Sequence, residues 1–271
     1  MRAADLLSVL WAAPAWAGPW TRDAGQVYVK VSESLYTADA FQDASGRVVK
    51  GVTYTGWTSA VYAEAGVADG LHLQLFLPHS VASNTFGDAT FRSARLGDAR
   101  LAAQWSLPWL DFPQALRAEV KLPLYDAAEP GGLQGDRFPL IGDGQVDARL
   151  WISAGGSVPR TPLYGFVELG YEHRSEWALG EGLDRGFVDG AVAFAQLGAT
   201  VWRGIILSAN AQAVLPFETD QSTKGYATVG PGLLAPVGGG LALEAGVDWT
   251  PWARNSARGT QVSLGLSWLR R

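Results

Sequence analysis

The sequence has no cysteine, only one methionine and three histidines among 271 residues. Without thiols the chain can form no disulfide, no thiolate metal site and no cysteine nucleophile. Charged residues are also sparse, at 17%, and 21 Lys and Arg against 26 Asp and Glu give a net charge of -5. A chain with this negative net charge lacks the basic surface that binds nucleic acid, so no nucleic-acid partner is expected.

Long uninterrupted apolar runs are missing beyond the N-terminus. A membrane-spanning helix needs roughly 18 or more consecutive apolar residues, whereas the apolar stretches here are broken by some of the 33 Gly and 14 Pro. The sequence therefore excludes helical membrane spans but not a membrane location. The 48% of hydrophobic residues and the chain length suit one large domain with a sizeable core.

The first residues have the pattern of a secretory signal peptide. Arg2 precedes an apolar run over residues 6–13, and the small-x-small tripeptide 15–17 follows it. Such leaders are removed during export. We therefore expect a signal peptide at residues 1–17 and a single mature domain at 18–271. The alternative is a short buried helix or strand.

From Gln26 onwards, apolar and polar residues alternate with a period of two. Residues 116–122, Leu-Arg-Ala-Glu-Val-Lys-Leu, place aliphatic side chains on one face and charged side chains on the other. The same alternation recurs in residues 71–75, 146–150, 207–213, 241–245 and 262–268. Sustained alternation of this kind predicts strands and not helices.

About twelve such segments lie between residues 26 and 269, and most reach the roughly 9–11 residues that a tilted strand needs to cross hydrocarbon. Tight turns such as residues 69–70 alternate with longer polar connections such as 83–96 and 126–143. This regular change of length is typical of outer-membrane barrels with short turns on one side and loops on the other. Near 187–201 and 225–236 both faces are apolar or rich in Gly, so the pattern fixes no strand register there.

These features predict an all-β fold, namely a closed antiparallel transmembrane barrel of about twelve strands in the bacterial outer membrane. Closure follows from the solvent, because hydrocarbon offers no hydrogen-bond partner to the edge of a sheet. The aliphatic face would contact outer-membrane lipid, and the polar face would line the interior. The alternative is a soluble β-sandwich or soluble barrel, in which the apolar face would point inward.

Several short motifs stand in a shared order between Val52 and Trp268. Residues 54–69 end in Glu64-Ala65-Gly66-Val67-Ala68-Asp69, and further motifs occupy 97–105, 142–147, 168–174, 254–255 and 263–268. Together they resemble the outer-membrane barrels connected with the meta-pathway of phenol degradation, a family of transporter-like proteins. The resemblance implies transport of small molecules, in particular hydrophobic or aromatic ones.

The alternation also assigns charged and polar side chains to the barrel interior. The expected lumen-lining residues are Lys30, Glu64, His72, Asp98, Arg100, Arg117, Glu119, Lys121, Asp147, Arg149, Glu168, Glu172, Arg174, Glu244 and Asp248. These side chains either neutralise one another in a packed network or line a narrow aqueous path whose charge sets selectivity. A barrel of about twelve strands lies between filled eight-stranded barrels and open porins, so strand number leaves both possibilities open.

No pattern in the sequence indicates an enzyme, a metal site or a cofactor. His79 and Ser80 are neighbours and would point to opposite faces of a strand, so they cannot act as base and nucleophile. Motifs for dinucleotides, phosphates and catalytic zinc are missing. The sequence therefore favours a channel or transporter for small molecules. The alternative is a structural barrel with a plugged lumen whose extracellular loops bind a partner. Permeant and oligomeric state stay open.

Overall fold

The computed structural model describes residues 18–125, 138–139, 141–142, 144–178, 187–219 and 223–270. The predicted signal peptide at residues 1–17, and most of the 126–143 connection, lie outside these ranges. Among the residues described, no helix is long and apolar enough to cross a bilayer. The strands are β1 Val27–Gln42, β2 Val48–Ala68, β3 Leu71–Phe86, β4 Ala89–Leu96, β5 Asp98–Ser106, β6 Gln114–Pro123, β7 Gln145–Ser157, β8 Leu163–Ala178, β9 Gly190–Trp202, β10 Ile205–Pro216, β11 Gly225–Gly238, β12 Leu241–Arg254 and β13 Ser256–Arg270.

The strands form one closed antiparallel sheet. Sequence neighbours pair along the barrel, and β1 pairs with both β2 and β13, which closes it. Strands β4 and β5 share one position, because β4 pairs with residues 79–86 of β3 and β5 pairs with residues 71–76. The barrel therefore has twelve strand positions, which confirms the predicted closed antiparallel barrel of about twelve strands.

Apolar side chains cover the outside of this barrel. On β7, Leu150 and Ile152 are each 50% exposed, whereas Trp151 and Ser153 between and beyond them are buried. A soluble barrel has the opposite arrangement, since its apolar face fills the interior. The outer surface instead has the composition that hydrocarbon favours.

The hairpin of β3 and β4 corrects one prediction. Residues 83–96 were expected to form a polar loop, but β3 continues to Phe86 and β4 begins at Ala89. Thr85 and Thr90 face each other across this hairpin, and their hydroxyl groups form a hydrogen bond of 3.1 Å. The exposed face of β4 carries Thr90, Arg92 and Ala94, and its inner face carries Phe91, Ser93 and Arg95. Polar and apolar residues therefore occur on both faces, and the alternation of hydrophobicity is lost.

The ambiguous segments near 187–201 and 225–236 are β9 and β11. Val192 and Val214 are buried with Trp151 in a small apolar cluster on the inner side of the sheet. Part of the interior is thus filled by apolar side chains. This is why β9 carries apolar residues on both faces and gives no readable alternation.

Candidate functional site in the barrel interior

Ion pairs cover one wall of the interior, formed by β6, β7 and β8. Glu119, Arg149 and Glu172 are direct neighbours across these three strands. The Arg149 guanidinium lies 3.1 Å from the Glu119 carboxylate and 2.5 Å from that of Glu172. Nearer the short turns, Arg117 pairs with Glu168 at 3.2 Å, and both side chains are almost fully buried. Adjacent charges on this wall therefore neutralise one another.

A second layer of the same wall is centred on Asp147. Its Oδ2 lies 2.5 Å from Lys121 Nζ and 3.0 Å from Arg174 Nε. Lys121 also lies 3.8 Å from the carboxylate of Asp98 on β5. The strand register again accounts for the layer, because Lys121 faces Asp147 and Asp147 faces Arg174.

Residues 18–26, which precede β1, lie inside the barrel at its turn end, where short turns such as Asp69-Gly70 join the strands. Arg22 forms a buried ion pair with Glu64. The backbone N–H of Arg22 donates to Nδ1 of His72 at 3.1 Å, and the guanidinium also lies over the Tyr28 ring at 5.0 Å. The segment is thus anchored to β1, β2 and β3 by charge and hydrogen bonds.

The same segment also contacts β5, which is the neighbour of β3, and β8 on the other side of the interior. The side-chain amide of Gln104 on β5 donates to the Gly18 carbonyl at 2.7 Å. The Trp20 ring meets Phe166 and Tyr164 of β8 edge-on, with centroids 5.7 and 6.4 Å apart. Contacts on both sides of the barrel show that residues 18–22 bridge the lumen.

At Gly66 on β2 the backbone of this segment lies directly against the barrel wall. The Gly25 N–H donates to the Gly66 carbonyl, and the Gly66 N–H donates to the Gln26 carbonyl, both at 2.9 Å. A Cβ at Gly66 would lie 1.9 Å from the backbone oxygen of Asp23. Glycine is therefore required for this approach.

A cavity of 1240 Å³ lies in the interior, mainly along β10 to β13, β1 and β2. Its polar lining consists chiefly of hydroxyl and amide side chains, namely Ser32, Ser34, Thr58, Ser208, Asn210, Gln212, Gln261 and Ser263. Aromatic rings add to it, including Tyr36, Tyr54, Phe76, Phe194 and Tyr226. The interior thus has an ion-paired wall on one side and a mostly neutral polar cavity on the other.

The fifteen residues expected in the lumen fall into distinct groups. Those on the ion-paired wall are Asp98, Arg117, Glu119, Lys121, Asp147, Arg149, Glu168, Glu172 and Arg174. Glu64 and His72 meet the N-terminal segment. Lys30 and Glu244 pair at 2.5 Å beside the cavity, and Asp248 also lines it. The Arg100 guanidinium lies over the Phe76 ring at 5.8 Å.

Sequence reasoning missed two parts of this interior. The hydroxyl side chains beside the cavity, such as Ser32 and Ser34, follow the same alternation as Lys30 and could have been assigned from it. Residues 18–22 carry no such signal, because they belong to no strand and their hydrogen bonds to His72 and Gln104 join residues that are distant in sequence.

No protein-family description matches the chain, and no curated protein resembles it in sequence. Solved structures do share its fold. An outer membrane channel from Pseudomonas putida F1 superposes with a TM-score of 0.73 at 14% identity, covering 96% of this chain and 100% of that one. The translocator domain of the autotransporter NalP from Neisseria meningitidis gives 0.56 at 14% identity, covering 99% and 95%. The beta domain of the Bordetella autotransporter BrkA gives 0.51 at 15%, covering 91% and 99%. The likeness establishes the fold.

Proposed function

We propose that the chain is an outer-membrane barrel that passes small molecules through its interior. The observation that carries this proposal is the inverted polarity of the barrel, with apolar side chains outside and a polar cavity of 1240 Å³ inside. An apolar exterior suits the hydrocarbon of a bilayer, and a polar interior suits a path for solutes. Its likeness in fold to the outer membrane channel from Pseudomonas putida F1 supports it.

The path would run through the cavity and leave at the turn end, beside residues 18–22. The wall of β6 to β8 holds its charges in ion pairs and offers little net field to a solute. Tyr36, Tyr54 and Phe76 border the cavity and provide apolar contact area. These rings support the aromatic or hydrophobic character of the solute that the family resemblance implies. No catalytic step is proposed.

Recording from the purified protein in a planar lipid bilayer tests this function. We expect discrete conductance steps, which heat-denatured protein should not produce. Protein that is well folded by circular dichroism and by its heat-dependent gel mobility, yet leaves the bilayer silent, would overturn the channel.

A second candidate is a structural barrel with a closed lumen and loops that bind a partner. The bridging of the lumen by residues 18–22 and the ion-paired wall favour it. Displacing the segment separates the two functions. Conductance of the wild type supports a path for solutes. A silent wild type supports the structural barrel, and conductance of folded Gly66→Ala would then show that residues 18–22 close its lumen.

A further inference from the structure

Asp248 differs from the other acidic residues expected in the interior. The seven others are each paired with a cation, as Glu64 with Arg22, Glu244 with Lys30, Glu168 with Arg117, Asp98 and Asp147 with Lys121, and Glu119 and Glu172 with Arg149. For Asp248, which is half-buried, the described part of the chain supplies neither an ion pair nor a hydrogen bond to the carboxylate. Among the residues that the structure describes, its carboxylate therefore has no counter-charge within ion-pair distance.

The neighbours of Asp248 form a row of polar and aromatic side chains along the cavity. Asp248 on β12 faces Gln261 on β13, and Gln261 faces Tyr36 on β1. The Tyr36 ring meets the Tyr54 ring edge-on, with centroids 5.9 Å apart. All four side chains line the same cavity. A carboxylate, an amide and two phenol rings are thus presented to one ligand.

The cations that border the cavity lie away from this row or are engaged elsewhere. Lys30 is paired with Glu244. Lys224 precedes Gly225, and Gly225 faces Arg254 at the far end of β12. At the usual rise per residue, Lys224 therefore lies about 20 Å from Asp248 along the strand. Arg95 belongs to β4, where its guanidinium lies over the Tyr125 ring. The position opposite the Asp248 carboxylate is left for a ligand.

We propose that this cavity binds small organic cations, with Asp248 as the residue that determines specificity. The ammonium group would pair with the carboxylate, since a partly desolvated charge without a counterion is costly. The hydrocarbon part would lie against Tyr36 and Tyr54, whose ring faces attract cations. This inference rests on the proposed function, because it names the class of solute that enters the same cavity.

Calorimetric titration of the detergent-solubilised full chain tests the proposal with three probes of one shape: 2-phenylethylammonium, 2-phenylethanol and phenylacetate. The ammonium probe should bind about tenfold more tightly than the alcohol, as a charge-assisted hydrogen bond allows, and the anion should bind most weakly. Asp248→Asn should remove the difference between ammonium and alcohol. Asp248→Glu should keep it, and so should Asp69→Asn, which removes an exposed carboxylate in a turn.

Equal affinity for the three probes in the wild type overturns the proposal, whether or not the Asp248→Asn variant folds. An unchanged cation preference in folded Asp248→Asn overturns it as well. Bilayer recording separates this failure from failure of the channel. Conductance without cation preference removes only the cation site, and cation binding with a silent bilayer removes only the passage.

Discussion

At the scale of single residues, Arg117 and Glu168 show how the barrel tolerates charge in its interior. Their side chains are 2% and 0% exposed and lie 3.2 Å apart, with the guanidinium also stacked 4.8 Å from the Trp151 ring. Burial of two charges carries a desolvation cost that the attraction between them offsets only when geometry is good. The pair therefore adds little net stability to the barrel. Loss of one partner, however, would leave a buried charge without a counter-charge.

Replacing Glu168 by Ala should lower the free energy of unfolding by about 3–5 kcal/mol, because the Arg117 guanidinium loses its carboxylate partner while buried. The double variant Glu168→Ala/Arg117→Met should lose less than the single one. Urea unfolding in lipid vesicles measures both. A double variant at least as destabilised as Glu168→Ala would contradict this explanation.

The loop between β1 and β2 offers a test by pH. The hydroxyl of Ser45 and the backbone N–H of Arg47 donate to the Asp43 carboxylate at 2.7 and 2.9 Å, and they lower the pKa of Asp43. A lowered pKa stabilises the folded loop above the ordinary carboxyl pKa, and this stabilisation is lost as pH falls through the folded value.

The amide resonances of Ser45 and Arg47 should therefore shift with a midpoint below the ordinary Asp pKa of about 3.9. The Asp43→Asn variant lacks the titrating group and should show no such transition in these amides. A midpoint at or above the ordinary value would show that the hydrogen bonds do not persist in solution.

At the scale of elements, residues 18–26 depend on a bare backbone at Gly66. Gly66→Ala places a Cβ against the Asp23 carbonyl and should displace the segment. Arg22, which is buried in the wild type, should then become open to trypsin, and the bilayer conductance should rise.

Gly156→Ala is the matched control, since a Cβ at that position would meet no atom within 4 Å. It should leave both trypsin resistance and conductance unchanged. If Gly66→Ala resists trypsin to the same degree as Gly156→Ala, the segment does not depend on this glycine.

Strand β8 tests the outer face. Leu169 is 59% exposed near the middle of the strand, where an Arg facing lipid should cost about 2–4 kcal/mol. Leu163 begins the strand at the turn end, where the same substitution should cost about 0–1 kcal/mol. Refolding into lipid vesicles gives both values. Equal costs would mean that the apolar belt does not sit in hydrocarbon.

The sequence predicted the strands well where each has lipid on one side and the interior on the other. Residues 116–122 are the clearest case, because β6 alternates between exposed aliphatic and buried charged side chains. The β3–β4 hairpin was predicted as a loop, because both faces of β4 mix polar and apolar residues. Strand β9 was predicted near residues 187–201, but its register could not be read because its inner face carries Val192 and Phe194. Apolar and polar residues alternate clearly only where the two faces of a strand lie in different environments.

The interior itself could be predicted only in part. Charges on β6, β7 and β8 follow from alternation, but their partners depend on which residues face each other across strands, as Glu119 does with Arg149. That Asp248 has no ion-pair partner within the described ranges has the same origin, since it faces Gln261 and not a cation. The register in which distant segments pair cannot be predicted from the alternation within each segment.

At the scale of the whole molecule, closure and inverted polarity depend on each other. Pairing of β1 with β13 closes the sheet around the barrel, so its backbone can enter hydrocarbon. The apolar outer belt then favours the bilayer, while ion pairs, hydroxyls and a cavity share the interior. An unclosed sheet would expose unpaired backbone groups to lipid, and an apolar exterior would promote aggregation in water. Each feature is therefore unfavourable without the other.

The environment of each face can be measured directly, because the chain has no cysteine and accepts single-cysteine variants without a background. Spin labels at Val120→Cys and Leu169→Cys report the outer face, and those at Ser34→Cys and Ser208→Cys report the cavity. In lipid vesicles we expect molecular oxygen to relax the spin labels at the two outer positions most strongly. A water-soluble nickel chelate should relax the labels at the two cavity positions most strongly. Nickel access at the outer positions, with oxygen dominant in the cavity, would contradict the barrel's assignment to the membrane.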